Sequence, residues 1–218
     1  MNESARRRYR PRPVDEGELR AQSRRPRRGG VSPESRQLQR LGRSFFSQPA
    51  ELLAPALLGK LLVCEVDGVL RQARIAETEA YLGPHDLASH SSRGRTSRTE
   101  VMFGPAGHVY VYLIYGLHYL LNIVAEGDGA AVLLRVADPL ADWAADLRGP
   151  GRLARAFGVT LTDNGADLTS GAFGIWSDEA YRAKVVRRPR IGVDYAKHWS
   201  RRLLRFVDAN SPSAARGL

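Results

Sequence analysis

Two stretches of the chain alternate β-branched or aromatic residues around a tight-turn signal, and together they commit it to an antiparallel sheet. The first runs Lys60–Val66, an Asp67–Gly68 pair, then Val69–Tyr81. Asp-Gly between alternating apolar runs is a strong short-range hairpin signal. The second runs His108–Tyr115, Gly116 and Leu117–Glu126, again β-branched and aromatic on both flanks. Gly129–Ala137 (GAAVLLRVA) is a near-continuous apolar run and predicts a central strand. Helices are fewer. One is predicted over Pro49–Leu58, with apolar Leu52, Leu53, Ala56 and Leu57 and a Gly59 stop, and a shorter one over Gly151–Phe157. Val185–Tyr195 and Leu203–Asp208 read as further strands, with a turn of helix at Ala196–Trp199. The sum is an α+β single domain dominated by antiparallel sheet. Between the hairpins, residues 82–107 are rich in Gly, Pro, Ser, Arg and His. A loop of that length inside a compact domain is often functional.

Charge divides the chain into three. Residues 1–43 hold thirteen Arg, no Lys, five acids and four Pro, with apolar residues scattered singly. Such a segment buries too little surface to offset chain entropy and reads as a disordered arm. It is either a solubilising extension or a polyanion-binding arm, because arginine–phosphate contacts release counterions. Residues 44–212 form the folded body, and 213–218 are a tail. Within the body, residues 182–205 carry nine basic side chains against Asp194 alone, whereas 44–181 are net negative. This fits either one basic face suited to a polyanion or a solvated charged strand and helix. Arg190, Arg201 and Arg202 are the expected contacts to the polyanion's backbone if the first holds. No apolar run approaches a membrane span, and no apolar segment follows the first arginines as in a secretory signal. No membrane partner is expected. The single cysteine, Cys64, excludes an internal disulfide and a Cys-based zinc site. A reducing compartment fits: cytoplasmic and nucleoid-associated in a bacterium, nuclear in a eukaryote.

The residues able to carry chemistry cluster on the hairpins. In RIAETEAY, strand alternation places Glu77, Glu79 and Tyr81 on one face. Two carboxylates and a tyrosine entering a long loop read as a hydrolytic centre or as the solvent face of an edge strand. In HVYVYLIYGLHYLLNI, Tyr110, Tyr112 and Ile114 share a face, and Tyr115 stands at the tip before Gly116. An aromatic exposed at a hairpin tip buries nothing at home, and insertion between base pairs would give it a partner. His85, Asp86 and His90 match no standard metal spacing, so no metal is expected. There is no Walker loop, G-x-G-x-x-G or nucleophile elbow. The three lysines (Lys60, Lys184, Lys197) lie away from the Glu/Tyr segments, which leaves a Schiff-base mechanism without its amine. A metal-dependent nuclease built on Glu77, Glu79 and Asp86 is a rival reading, separable by its need for a cation.

ETEAYLGPHDLASH, MFGPAGHVYVYLIYGLHYLLNIV and GDGAAVLLRVADP, in that order and spacing, resemble the alkyladenine (3-methyladenine) DNA glycosylase family of the mammalian type. Weaker matches follow at GPGRLARAFGV and RIGVDYAKHW…LRF, so the resemblance covers roughly residues 44–212. It implies a curved sheet with flanking helices and a protruding hairpin, like a formyltransferase C-terminal domain. It also implies a monofunctional glycosylase without cofactor or lyase step, acting as a monomer on double-stranded DNA in base excision repair. The substrates it implies are alkylated or deaminated purines: 3-methyladenine, 7-methylguanine, hypoxanthine and ethenoadenine. Position by position, Tyr115 resembles the residue inserted into the duplex and Glu79 the general base. Tyr81 and Tyr112 resemble the walls stacked on the flipped base, with His90 beside them. Asn122 resembles the asparagine that excludes guanine's exocyclic amine, and Arg135 the arginine near the catalytic water. The chain departs from the family at Ser213, after Ser211–Pro212, where a bulky residue is common. A catalytically inactive nucleic-acid binder of the same fold is the alternative, and the intact Glu79 argues against it.

Overall fold

Strand β3 (Val69–Leu82) is the spine of the molecule, and its fourteen residues are long enough to serve three partners. One edge pairs first with β2 (Leu61–Val66) and then, at Glu77–Glu79, with β9 (Arg205–Asp208). The other edge pairs along its length with β6 (Ala130–Leu140). Outward from β6 come β5 (His118–Val124) and β4 (Val109–Ile114); outward from β2 come β7 (Gly174–Asp178) and β1 (Leu38–Arg40). Among the described residues β8 (Val185–Arg188) pairs only with β9. All the strand pairings are antiparallel. The computed structural model describes residues 38–140, 143 and 146–214, and among these the sheet has nine strands.

Both hairpins form where alternation places them. The β2–β3 turn puts Asp67 and Gly68 at φ 51° and 76°, the mirror-image turn whose twist matches that of its strands. Among the described residues three α-helices flank the sheet: α1 (Arg43–Phe46), α2 (Ala50–Leu57) and α3 (Pro150–Ala156). α2 buries Ala50, Leu53, Ala54 and Leu57, an i, i+3, i+4, i+7 stripe. Leu52, expected on that stripe, points to solvent. The buried carbonyl of Ala54 accepts a hydrogen bond from Thr78 Oγ1 at 2.8 Å, fixing α2 on β3. Phe46, Leu53, Leu57, Phe157 and Phe206 are among the largest fully buried side chains of the main core. No helix among the described residues is long and apolar enough to cross a membrane.

Three expectations change. Residues 38–43 belong to the body and not to the arm: Leu38–Arg40 pair with β7, and Leu38 is buried. Arg40 donates to the carbonyls of Leu168, Gly171 and Phe173, and Arg43 bridges to Asp167 at 2.6 Å. These two arginines are structural clamps. The rest of the expected arm, residues 1–37, lies outside the described residues. The strand expected over 185–195 stops at Arg188, because Pro189 has no N–H for a ladder and the chain then turns inward. Finally, β7 has no counterpart among the predicted strands. Its short GIWSD segment follows a glycine-containing turn and shows no alternation.

Candidate active site

Register alone assembles the floor of the site. Glu79 on β3 lies opposite Leu133 on β6, Leu133 opposite Asn122 on β5, and Asn122 opposite Tyr110 on β4. Directly paired residues share a face, so Glu79, Asn122 and Tyr110 form one row across four strands. Two residues along each strand, on the same face, stand Tyr81, Arg135 and Tyr112. These side chains line a cavity of about 300 Å³. The faces proposed for the two hairpins from alternation are thus one continuous surface.

A bulge sets the acid end. The β3–β6 register slips between Ile75 and Thr78, and a bulge beside a site re-aims the side chains next to it. Here Arg135 Nε donates to Glu77 Oε1 at 2.7 Å while its Nη1 stands 3.4 Å from Glu79 Oε1. Arg205 also reaches Glu77 at 3.4 Å. Glu77 is therefore held between two guanidiniums outside the cavity, and Glu79 is the carboxylate that lines it. Glu79 is fully buried and accepts hydrogen bonds from Tyr81 OH at 2.9 Å and from the Ile191 N–H at 2.8 Å. Burial pushes its pKa above the ordinary carboxylate value, against the pull of Arg135 and of those two donors.

The walls come from loops. The turn His90–Arg93 is pinned to β6 where Gly129, at φ 66°, lets Ser91 come close enough for Ser91 Oγ to donate to the Gly129 carbonyl at 2.8 Å; a Cβ on Gly129 would lie 2.6 Å from that of Ser91. This seats His90 edge-on against Tyr112, ring centroids 4.4 Å apart, with Nδ1 3.0 Å from Tyr110 OH. Burial, with Arg98 and Arg93 nearby, pushes the His90 pKa down to about 4, so the ring is neutral at neutral pH. Burial raises the phenol pKa values of Tyr81 and Tyr112, which therefore remain un-ionised. Asn122 Nδ2 donates to the carbonyls of Tyr110 (3.1 Å) and Leu120 (3.4 Å), fixing its side chain on the floor. The chain from Ile191 to Tyr195 crosses the opposite side as a strap.

Tyr115 stands at the hairpin tip, 86% exposed, at φ 53°. Leu117 N–H closes its turn onto the Ile114 carbonyl at 3.1 Å. The expected backbone contact Arg190 is overturned. Its guanidinium is wholly buried, bidentate to Asp86 at 2.6 and 2.8 Å, bonded to the Ala80 carbonyl, and 4.7 Å from the Tyr81 ring centroid. It supports the strap and a pocket wall, and no phosphate can reach it. Arg201 and Arg202 are exposed, with Arg202 over the Trp199 ring. The carboxylates of the rival nuclease do not converge on a cation: Asp86 is engaged by Arg190, and Glu77 and Glu79 share Arg135. His85 packs on Trp199, away from His90. Sequence reasoning passed over Tyr110, Arg98, Ile191 and Tyr195 as lining residues. Only Tyr110 had a signal, its place two residues before Tyr112 on the same strand.

Residues 44–212 match the family model described as methylpurine-DNA glycosylase (MPG). A protein from Legionella pneumophila (strain Corby) named "Putative 3-methyladenine DNA glycosylase" is 46% identical over 179 residues, covering 80% of this chain and 97% of its own length. Proteins of the same name from Myxococcus xanthus (strain DK1622) and Anaeromyxobacter dehalogenans (strain 2CP-1 / ATCC BAA-258) are 46% and 44% identical. They cover 81% of this chain each, and 94% and 86% of their own lengths. The chain belongs to the methylpurine-DNA glycosylase family and is a DNA glycosylase, a hydrolase of DNA repair.

Proposed function

We propose that this glycosylase takes alkylated and deaminated purines, among them 3-methyladenine, 7-methylguanine, hypoxanthine and ethenoadenine, from duplex DNA by swinging the damaged nucleotide into the cavity and hydrolysing its N-glycosidic bond. One observation carries the reading: a buried, arginine-braced carboxylate lies at the closed end of an aromatic slot. A base inside a stacked helix cannot be attacked at the sugar, so it must leave the duplex. The vacated gap needs a filler, and Tyr115 is the exposed aromatic placed to supply it.

Inside the slot, water attacks C1′ as the C–N bond breaks. The bonding pair departs with the purine, and the water's proton passes to Glu79. Arg135, 3.4 Å from Glu79, favours the ionised carboxylate that this transfer requires. The same carboxylate stabilises positive charge building on the sugar. An N3- or N7-alkylated purine is a cation that leaves as a neutral base, and Tyr112 and Tyr81 offer it aromatic faces. Neutral lesions need a proton on the leaving group. His90, with its pKa near 4, holds none to give at neutral pH. Asn122 on the floor meets the exocyclic amine of guanine and disfavours the undamaged base; 7-methylguanine carries the same amine and is removed because its cationic base is the better leaving group. The enzyme acts as a monomer. The relatives named above are bacterial, which supports a reading in which it works at the nucleoid.

The test is free-base release from duplexes holding a single lesion, run in EDTA. Wild type should release base and leave an intact abasic strand. Glu79→Gln should bind the lesion duplex and release base at least ~100-fold more slowly, the scale of a lost general base. Because the active form is the carboxylate and burial raises its pKa, release should fail on the acid side at a pH above the ordinary glutamate range. Undiminished excision by Glu79→Gln would falsify the assignment.

A further inference from the structure

The slot already contains a cation of its own. Arg98 lies on the loop between His90–Arg93 and Glu100–Phe103, and it lines the cavity together with Tyr112. Its guanidinium carbon stands over the Tyr112 ring, 5.5 Å from the centroid. The turn that presents it is firmly held. Thr99 beside it is buried, its N–H donates to the Thr96 carbonyl at 3.0 Å, and its hydroxyl donates to the Gly94 carbonyl at 3.1 Å. The next arginine back, Arg95, is drawn outward by Glu100. Arg98 alone of this pair is turned to the slot.

A planar, delocalised cation over a tyrosine is what an N-alkylated purine becomes once it enters. The resident and the incoming cation compete for the same aromatic surface, and like charges in a half-dry cavity repel. A neutral purine bearing a carbonyl at O6 meets the same guanidinium as a hydrogen-bond donor, since the arginine fork matches the O6 and N7 acceptors of such a base. The fixed charge of Arg98 therefore acts with opposite sign on the two lesion classes. We infer that Arg98 is a specificity residue that holds back cationic alkylated purines and favours neutral, carbonyl-bearing ones. This rests on the slot receiving a flipped purine, as proposed above.

The depressed pKa of His90, to which Arg98 contributes, is consistent with a cation standing close to the aromatic cluster. Arg98 is exposed on a loop, so its replacement should leave folding intact, and a thermal melt of each variant checks this.

The experiment is single-turnover release from two duplexes, identical except for one 3-methyladenine, a cation without an O6 carbonyl, or one hypoxanthine. Wild type, Arg98→Gln and Arg98→Lys are compared. Arg98→Gln should raise the ratio of 3-methyladenine to hypoxanthine rates by about tenfold, the order expected for one partly screened charge at this distance. Arg98→Lys keeps the charge and should stay within about threefold of wild type, with hypoxanthine losing more because the fork is gone. Wild type releasing only hypoxanthine, with 3-methyladenine release appearing in Arg98→Gln, also supports the inference. An unchanged ratio with both rates falling together would make Arg98 a phosphate contact and overturn it. Wild type releasing only the cationic base overturns it as well. Release of neither base by wild type instead sinks the underlying reading of the slot, so the two failures are distinguishable.

Discussion

Both hairpins turn through a non-glycine residue in the left-handed region followed by a glycine, in a two-residue loop between β2 and β3 and a three-residue loop between β4 and β5. In the β2–β3 hairpin it is Asp67 at φ 51°, in the β4–β5 hairpin Tyr115 at φ 53°. Aspartate tolerates the left-handed region because its short side chain bonds locally; a bulky aromatic does not, and the cost is about 1 kcal/mol or more. Nothing at home offsets that cost, since the Tyr115 side chain is 86% exposed. Strain kept in a solvent-facing aromatic is reasonably read as functional. Tyr115→Asn should therefore stabilise the free protein by about 0.5–1 kcal/mol in urea denaturation, while slowing base release from duplex and sparing binding to single strands. A variant that is both more stable and equally fast on duplex would remove insertion from the mechanism. Glu79 shows the complementary arrangement. Burial works against its charge, and an arginine, a phenol and a backbone N–H together keep that carboxylate in the slot.

At the scale of elements, the strap from Arg190 to Tyr195 decides whether the slot has a second side. Its anchor is the wholly buried Arg190–Asp86 pair, and Asp86 also accepts from the Leu82 and Ala88 N–H groups at 3.1 and 3.0 Å. Removing one partner of such a pair strands the other charge away from water. Asp86→Asn should cost about 3–5 kcal/mol in chemical denaturation and loosen the Ile191 contact to Glu79. Asp86→Leu combined with Arg190→Met should recover part of the stability, whereas a loss under about 1 kcal/mol for Asp86→Asn would mean the pair is not a keystone. None of this was legible in the sequence. VVRRPRIGV has the β-branched content of a strand, and in a run of nine basic residues nothing separates an arginine destined for burial from one destined for phosphate. The hairpins were legible because period-two alternation and Asp-Gly are local signals. Since register carries that alternation across strands, the row from Glu79 to Tyr110 was half-written there too. Arg98 and Tyr195 were not, because loop geometry decides whether their side chains reach the cavity.

For the whole molecule, the arginine-rich N-terminal region is two things joined at Leu38. Residues 1–37 carry eleven arginines against five acids. From Leu38 onward the chain is sheet edge and clamp: β1 pairs with β7, Arg40 holds three carbonyls of the 168–173 loop, and Arg43 pairs with Asp167. Two truncations six residues apart should therefore behave oppositely. Removing 1–37 should leave the melting temperature and the profile of released bases unchanged, because the described residues that line the slot all lie beyond that segment. It should weaken duplex binding and flatten the slope of log affinity against log salt by about 0.9 for every phosphate the arm no longer neutralises. Removing 1–43 should lower the melting temperature as well, because the edge strand and both clamps go with it. An unchanged salt slope after the shorter cut would make residues 1–37 a solubilising extension. A changed base profile after that cut would mean the arm reaches the slot, and the division at Leu38 would be wrong.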